Sequence, residues 1–477
     1  MNQHKGNTMK RVRVAADRWN FETDDGGLIT PLGGNMLNDQ HPGQGTLFDN
    51  FDAAECDRRF GIMAELGLNV VRQAIGVNRV FDPATGLKAE GLKNWDTFIG
   101  LAEKHGIYLM PVGGYIGGND WFDVERLADS GRQLDWDCAF WEAFAGHYKD
   151  HPAIWSWDLR NELLYWTRAH MVAPGSTEEQ RVEAMIKDRW PWWLETRYGT
   201  VAAMNKVYGS AYASFADVPG AIGFIENPFD ICAFDFRNYL NDRGYDWCKR
   251  QCDAIRAVAP GHMICQGNNA WLSPDQDLWL ANGFHNRAVH DLFDFVSFHP
   301  YPAWECVPGG RGDPLDGGEP LAYWLSCCIG NARMDNYGKP VVVQEFGWYG
   351  GGTSRFLCDL PYRSEEEHAD YTRALTDALI PHVNGFVNWP TFDMPASNDI
   401  SNHGGIFTAE GKPKALSKVY ADLVTRLNGK RLVRARATTT MTYSLLGLYT
   451  CRAYQDRMWD EFHAAILAGQ VPDFRFI

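Results

Sequence analysis

The chain has 477 residues, 45% of them hydrophobic, with a net charge of −15 and an isoelectric point near 5.4. That is enough apolar material for a large core, and the acidic balance argues against partners that need basic patches, nucleic acid and anionic membrane surfaces among them. Eleven cysteines without regular spacing read as reduced thiols rather than a disulfide framework.

Residues 1–27 form an N-terminal segment. Its first 14 residues are polar and basic, with no apolar stretch of the kind a secretory leader carries. No apolar run in the chain reaches the roughly 18 residues of a membrane span. A cytoplasmic location is the expectation.

From residue 28 onward, short apolar runs alternate with segments of helical periodicity, the pattern of βα units around a parallel sheet. Eight strands are predicted, at 28–36, 69–75, 107–112, 154–159, 262–266, 295–298, 340–344 and 385–388. Helices are expected at 52–66, 95–105, 137–148, 365–379 and 414–427. Ser364 suits an N-cap before an acidic first turn, and His105-Gly106 reads as a helix stop. The fold class is therefore an α/β (β/α)8 TIM barrel over residues 28–428. The rival is an open doubly wound sheet, which usually carries a Gly-rich phosphate turn after its first strand, and none is present.

Three regions exceed a minimal barrel. Residues about 163–232 form a large insertion after the fourth strand, with Trp190-Pro191-Trp192-Trp193, and are expected over the site. Residues about 303–322 are rich in Gly and Pro and read as a loop at the mouth. Residues 429–477 form a short C-terminal extension with a helix near 455–468, expected as a brace or a contact in a homo-oligomer. Cys248 and Cys252, four apart, could share a helix face. No His or Cys stands beside them at zinc spacing, so no metal is expected, nor any cofactor.

The chemistry concentrates at predicted strand ends, where barrel enzymes keep it. Glu162 closes Trp157-Asp158-Leu159-Arg160-Asn161-Glu162, and Glu345 closes Val341-Val342-Val343-Gln344-Glu345. Two carboxylates delivered this way suit the breaking of a glycosidic bond. Glu162 would be the acid, held protonated by burial and a nearby charge. Glu345 would be an ionised nucleophile, with Arg72 lowering its pKa and Tyr301 as a second donor. Asn161 could bind a sugar hydroxyl, His299 could bond Glu162 or the sugar, and Trp389 could form a floor for the ring. Asn35, Asn268, Asn269, Trp271, Trp348 and Asp393 are further candidates. Each of these residues has an ordinary structural reading as well. The case rests on their order along the strand ends.

With these motifs in hand, the sequence resembles the retaining glycoside hydrolases called clan A. His151-Pro152-Ala153-Ile154-Trp155 leading to Asn161-Glu162 is similar to the cellulase and β-mannanase family (family five). So are Phe298-His299-Pro300-Tyr301 and Lys339-Pro340 through Glu345-Phe346-Gly347. Arg197-Tyr198-Gly199-Thr200, Met204-Asn205 and Tyr208-Gly209-Ser210 resemble the β-galactosidases of family forty-two. The four-cysteine zinc cluster of many family forty-two enzymes has no counterpart, and Leu163-Leu164 follows Asn-Glu where many mannanases have Pro. The resemblance implies double displacement, with Glu345 as nucleophile and Glu162 as acid/base. The expected function is a retaining exo-β-glycosidase acting on a β-mannoside or β-galactoside at the end of an oligosaccharide. The alternatives are an endo-acting β-mannanase or β-glucanase, and a carbohydrate-binding barrel without catalysis.

Overall fold

The computed structural model describes residues 9–37, 47–114, 132–162, 189–220, 229–267, 287–302, 312–335, 338–347, 363–397 and 400–477. Eight parallel strands build the central sheet: β1 (Leu32–Asn35), β2 (Val70–Ala74), β3 (Tyr108–Val112), β4 (Ser156–Asn161), β5 (Met263–Gly267), β6 (Val296–Phe298), β7 (Val341–Val343) and β8 (Phe386–Asn388). They pair in the order β5-β4-β3-β2-β1-β8-β7-β6. Hydrogen bonds draw the ends of the sheet together, the Ile264 amide donating to Asp294 Oδ2 at 2.7 Å among them. The Asp294 amide donates to the Ile264 carbonyl at 2.9 Å, and Ser297 Oγ donates to the Gln266 carbonyl at 2.5 Å. The result is the expected TIM barrel.

Each strand is buried on both faces, which is why it reads as an apolar run. Alternate residues Val70, Met110, Cys265, Val342 and Val387 fill the inside. Their neighbours Val71, Leu109, Ile264, Val341 and Phe386 pack outward against the helices. Around the strands lie α1 (Ala53–Leu66), α2 (Ala89–His105), α3 (Arg132–His147), α4 (Val201–Tyr208), α5 (Ile231–Val258), α6 (Gly318–Asp335), α7 (Glu365–Leu379) and α8 (Ala415–Leu427). Ser364 and Glu367 form a reciprocal capping box on α7, and Gly106 ends α2 at φ 70°. Helix α2 starts at Ala89, earlier than periodicity predicts, and the buried Gly91 in its first turn lies so near the Arg79 carbonyl that a Cβ would clash.

The N-terminal segment has a structure that the sequence did not announce. Strands Val12–Val14, Phe21–Thr23 and Leu28–Ile29 form a small antiparallel sheet. Its Phe21 ring meets Trp155 at 5.1 Å and Phe295 at 5.5 Å, stoppering the barrel at the end opposite the carboxylates.

Helix α5 has 28 residues, a length of about 42 Å at 1.5 Å per residue. Its second half runs beside α3, with Trp141 Nε1 donating to Gln251 Oε1 at 3.0 Å. Because α5 leads into the start of β5, its first half projects past the strand ends. The described part of the insertion packs there. Trp190 meets Phe236 edge-on at 5.2 Å, Arg197 pairs with Asp235 at 2.9 Å, and Tyr208 Oη donates to Asp235 at 2.8 Å. Residues 163–188 and 303–311, also expected near the mouth, lie outside the described residues.

The C-terminal extension adds α9 (Leu445–Thr450), α10 (Arg452–Leu467) and a parallel pair, β9 (Thr439–Tyr443) with β10 (Pro472–Phe476). It fills the flank between α5 and α6. Asn241 donates to Tyr449 Oη at 3.1 Å, Tyr323 Oη donates to Asp460 at 3.0 Å, and a Cβ on Gly330 would lie 2.5 Å from the Trp459 ring. The described part of the β5–β6 connection includes one helical turn, Arg287–His290. Cys248 and Cys252 do share α5, buried in the core, where burial raises both thiols, Cys252 to about 12. No helix among the described residues is long and apolar enough to cross a membrane.

Candidate active site

Arg72 is the hub of the strand ends. It lies two residues past Val70, so the pleat of β2 turns it into the barrel, and it is fully buried. Its Nε donates to Asp158 Oδ2 at 2.8 Å and its Nη2 to Asn161 Oδ1 at 2.7 Å. Its Nη1 pairs closely with Glu345 Oε1 and reaches Asn35 Oδ1 at 3.3 Å. A buried guanidinium needs such compensation, and it receives it from β1, β4 and the end of β7.

Strand β4 is irregular where it enters the site. Cys265 pairs with Asp158 and Gly267 with Asn161, so Leu159 and Arg160 face the single Gln266. This bulge lets two successive residues leave the barrel interior. Leu159 joins the outer core, and Arg160 comes under the charge of Asp137 on α3. Asp158 and Asn161 therefore both point inward, onto Arg72. The next residue, Glu162, has φ 47°, a left-handed conformation that non-glycine residues rarely hold without support. The support is visible: the Glu162 amide donates to the Gly267 carbonyl at 2.7 Å, and the Gly267 amide donates to Asp158 Oδ1 at 2.9 Å. A Cβ on Gly267 would stand 2.4 Å from Arg72 Nη2 and 3.0 Å from His299 Cε1, so glycine is required by space alone.

Glu345 accepts from Tyr301 Oη at 3.0 Å on one oxygen and from Arg72 on the other. His299 Nδ1 lies 2.9 Å from Glu162 Oε1 and 3.7 Å from Glu345 Oε2. Facing atoms of Glu162, His299 and Glu345 all fall within 4.8 Å of one another. Facing carboxylate atoms this near one another are compatible with the closer of the two carboxyl spacings used on glycosides, about 5–5.5 Å. The same three side chains could hold a cation, but Arg72 already supplies the positive charge that Glu345 faces.

One electrostatic expectation is corrected. Arg72 does pull the Glu345 pKa down, as does His299, yet burial outweighs them and the pKa lies above the ordinary glutamate value, with Glu162 adding to the rise. Burial thus makes Glu345 hold a proton more tightly than an exposed glutamate does.

Trp389 is buried, donates to Ser401 Oγ at 2.9 Å, and packs with Tyr301 and Met394 beside the carboxylates. Arg72, Asn161, Glu162, His299, Tyr301, Glu345 and Trp389 therefore meet in one place. Asp393 does not join them: both its oxygens bind Lys414, at 2.8 and 3.0 Å, and it serves the β8 loop. Asn35 braces the site from below, donating to the Asn388 carbonyl at 3.0 Å. Asn268, Asn269, Trp271 and Trp348 lie outside the described residues. Sequence reasoning missed Asp158 and Gly267. The signal was an acid in the middle of an apolar strand, with a glycine where the next strand ends.

Residues 138–345 match the family model of glycosyl hydrolase family 42, described as β-galactosidase. A β-galactosidase of Thermus thermophilus is 30% identical over 138 residues, which cover 28% of this chain and 19% of that protein. The chain spans between 16% and 24% of the length of five curated relatives it matches. An exo-β-1,4-mannosidase from Opitutaceae bacterium strain TAV5 superposes with a TM-score of 0.63 at 17% identity, over 97% of this chain and 72% of that one. A family-five enzyme of Streptomyces cattleya, crystallised with a mannosyl-β-1,4-N-acetylglucosamine disaccharide, superposes with a TM-score of 0.58 at 14% identity, over 93% and 94%. At these identities the structural likeness speaks for the barrel fold. Together the matches make the chain similar to clan A, with features of families five and forty-two.

Proposed function

We propose that the chain is a retaining exo-β-glycosidase that removes a terminal β-mannosyl or β-galactosyl residue by double displacement. The observation that carries this reading is the pair of buried carboxylates at close spacing with unequal surroundings. Glu345, with two donors, is the better home for negative charge and attacks the anomeric carbon. Glu162, with His299 Nδ1 at 2.9 Å, carries the proton. It protonates the leaving oxygen, then takes a proton from the water that releases the sugar. Arg72 and Tyr301 hold the nucleophile. Asn161, fixed by Arg72, presents its amide to a sugar hydroxyl. Trp389 supplies the apolar surface under the ring.

The exo reading draws on the long insertion, whose described part stands beyond the strand ends on α5. Bulk there narrows a cleft to a pocket. The matched β-galactosidase and the exo-β-1,4-mannosidase give the two candidate sugars.

A panel of aryl β-glycosides tests the class, with the largest kcat/KM expected on the mannoside or galactoside. In Glu345→Ala, hydrolysis is lost and azide yields the α-glycosyl azide. Azide rescue of that anomer only in Glu162→Ala overturns the assignment. Cleavage of a reduced oligosaccharide by single terminal residues fits exo action, and internal cuts contradict it.

A further inference from the structure

Asp158 sits at the base of the site. It is wholly buried and touches two things: the Nε edge of Arg72 at 2.8 Å and the Gly267 amide at 2.9 Å. The first contact is electrostatic and the second is a backbone brace. The two Nη atoms of the same guanidinium carry Glu345 and Asn161. One cation is thus shared between two anions, and what it gives to one it withholds from the other. Asp158 reaches the hub only because the β4 bulge keeps it and Asn161 on the inner face together.

We propose that Asp158 is a positioning residue that holds Arg72 by its Nε edge, limits how far the guanidinium charge stabilises ionised Glu345, and so sets the pH range in which Glu345 can attack. The proposal rests on the double-displacement reading above. The groups facing Glu345 among the described residues are Arg72 from β2, Glu162 after β4, and His299 and Tyr301 after β6. Of these, only Arg72 is bound by Asp158. With Asp158 charged, Arg72 and Asp158 together are near neutral. Glu345 then keeps the raised pKa that its burial produces, and with it the basicity a nucleophile needs. Without that charge, the full guanidinium acts on Glu345 and steadies its anion, which makes it a weaker nucleophile that ionises at lower pH.

Asp158→Asn separates the two contacts. Its amide oxygen can still accept from Gly267, while the charge and the acceptor for Arg72 Nε are both gone. The acid limb of kcat/KM is expected to move down by about one pH unit, with kcat reduced about tenfold or more and KM little changed. Asp158→Ser, which also keeps an acceptor, carries the same test should the Asn variant not fold. Asp158→Glu, which keeps the charge, is expected to restore the wild-type limb. A readout independent of turnover is the side-chain carboxyl carbon titration of Glu345 by NMR, assigned by the signal missing in Glu345→Gln. That titration is expected to shift down in Asp158→Asn. An unmoved Glu345 titration in the folded neutral variants, with loss of melting temperature alone, overturns the proposal and leaves Asp158 a backbone brace. A wild-type protein that turns over no aryl β-glycoside strikes the hydrolase reading instead, and the NMR titration still decides the role of Asp158.

Discussion

At the end of β7, Glu345 leaves a regular strand and enters a ready set of donors, Arg72 on one oxygen and Tyr301 on the other. At the end of β4, Glu162 follows a bulge, adopts left-handed backbone, and meets the ring of His299. The first end is built to hold charge in one place. The second, in the proposed mechanism, aims a carboxyl that gains and loses a proton. The difference teaches that two chemically identical side chains can be given unlike surroundings, from which the proposed separate roles follow, and that the strained backbone falls at only one of them.

Replacing each carboxylate should break this contrast in a different way. Glu345→Ala is expected to cost at least about 10⁴-fold in kcat on every substrate, because no other group can form the covalent bond. Glu162→Ala is expected to cost about 10²–10⁴-fold on glycosides with poor leaving groups. It should cost far less in the first step on activated aryl glycosides, which need no proton; pre-steady-state bursts with the two leaving groups check this. Equal losses on both would erase the distinction between the strand ends.

Smaller changes sharpen it. Gly267→Ala drives a methyl toward Arg72 and His299, so both ends move together, and kcat/KM should fall by up to about a hundredfold. Tyr301→Phe touches only the β7 end. Loss of a hydrogen bond to a charged group, about 1.5–3 kcal/mol, predicts a fall of about ten- to a hundredfold. Tyr301 lowers the Glu345 pKa, so its removal raises that pKa further and moves the acid limb of kcat/KM to higher pH. This is the opposite sign to Asp158→Asn. In the wild type the same limb should lie above the ordinary glutamate value. The smallest catalytic effect is expected far away. Trp459→Ala empties the contact on α6 and should cost about 3–5 kcal/mol of stability by denaturant unfolding, with kcat/KM near wild type.

The barrel was legible because strands buried on both faces leave apolar runs, and because Ser364, Glu367 and Gly106 mark helix ends by fixed local geometry. The seven residues that meet at the strand ends were legible because residue type and order suffice to name them. The bulge in β4 was not, since it is set by register against β5, and so Asp158 and Gly267 passed as strand filler. Strand β9 alternates half-buried and exposed positions in a threonine-rich stretch, and the N-terminal strands are two or three residues long. Neither carries enough apolar pattern to show. The net pKa of Glu345 was misjudged because burial depends on the whole barrel, while Arg72 could be read from one strand.

The most direct measurement of the central claim is covalent trapping. An activated fluorosugar glycoside of the preferred sugar, which forms the glycosyl-enzyme faster than it can be hydrolysed, is incubated with the protein, and the adduct is located by peptide mass spectrometry. The account predicts one sugar per chain, attached to Glu345. Attachment to Glu162, or turnover of the parent glycoside with inversion and no adduct, would contradict it.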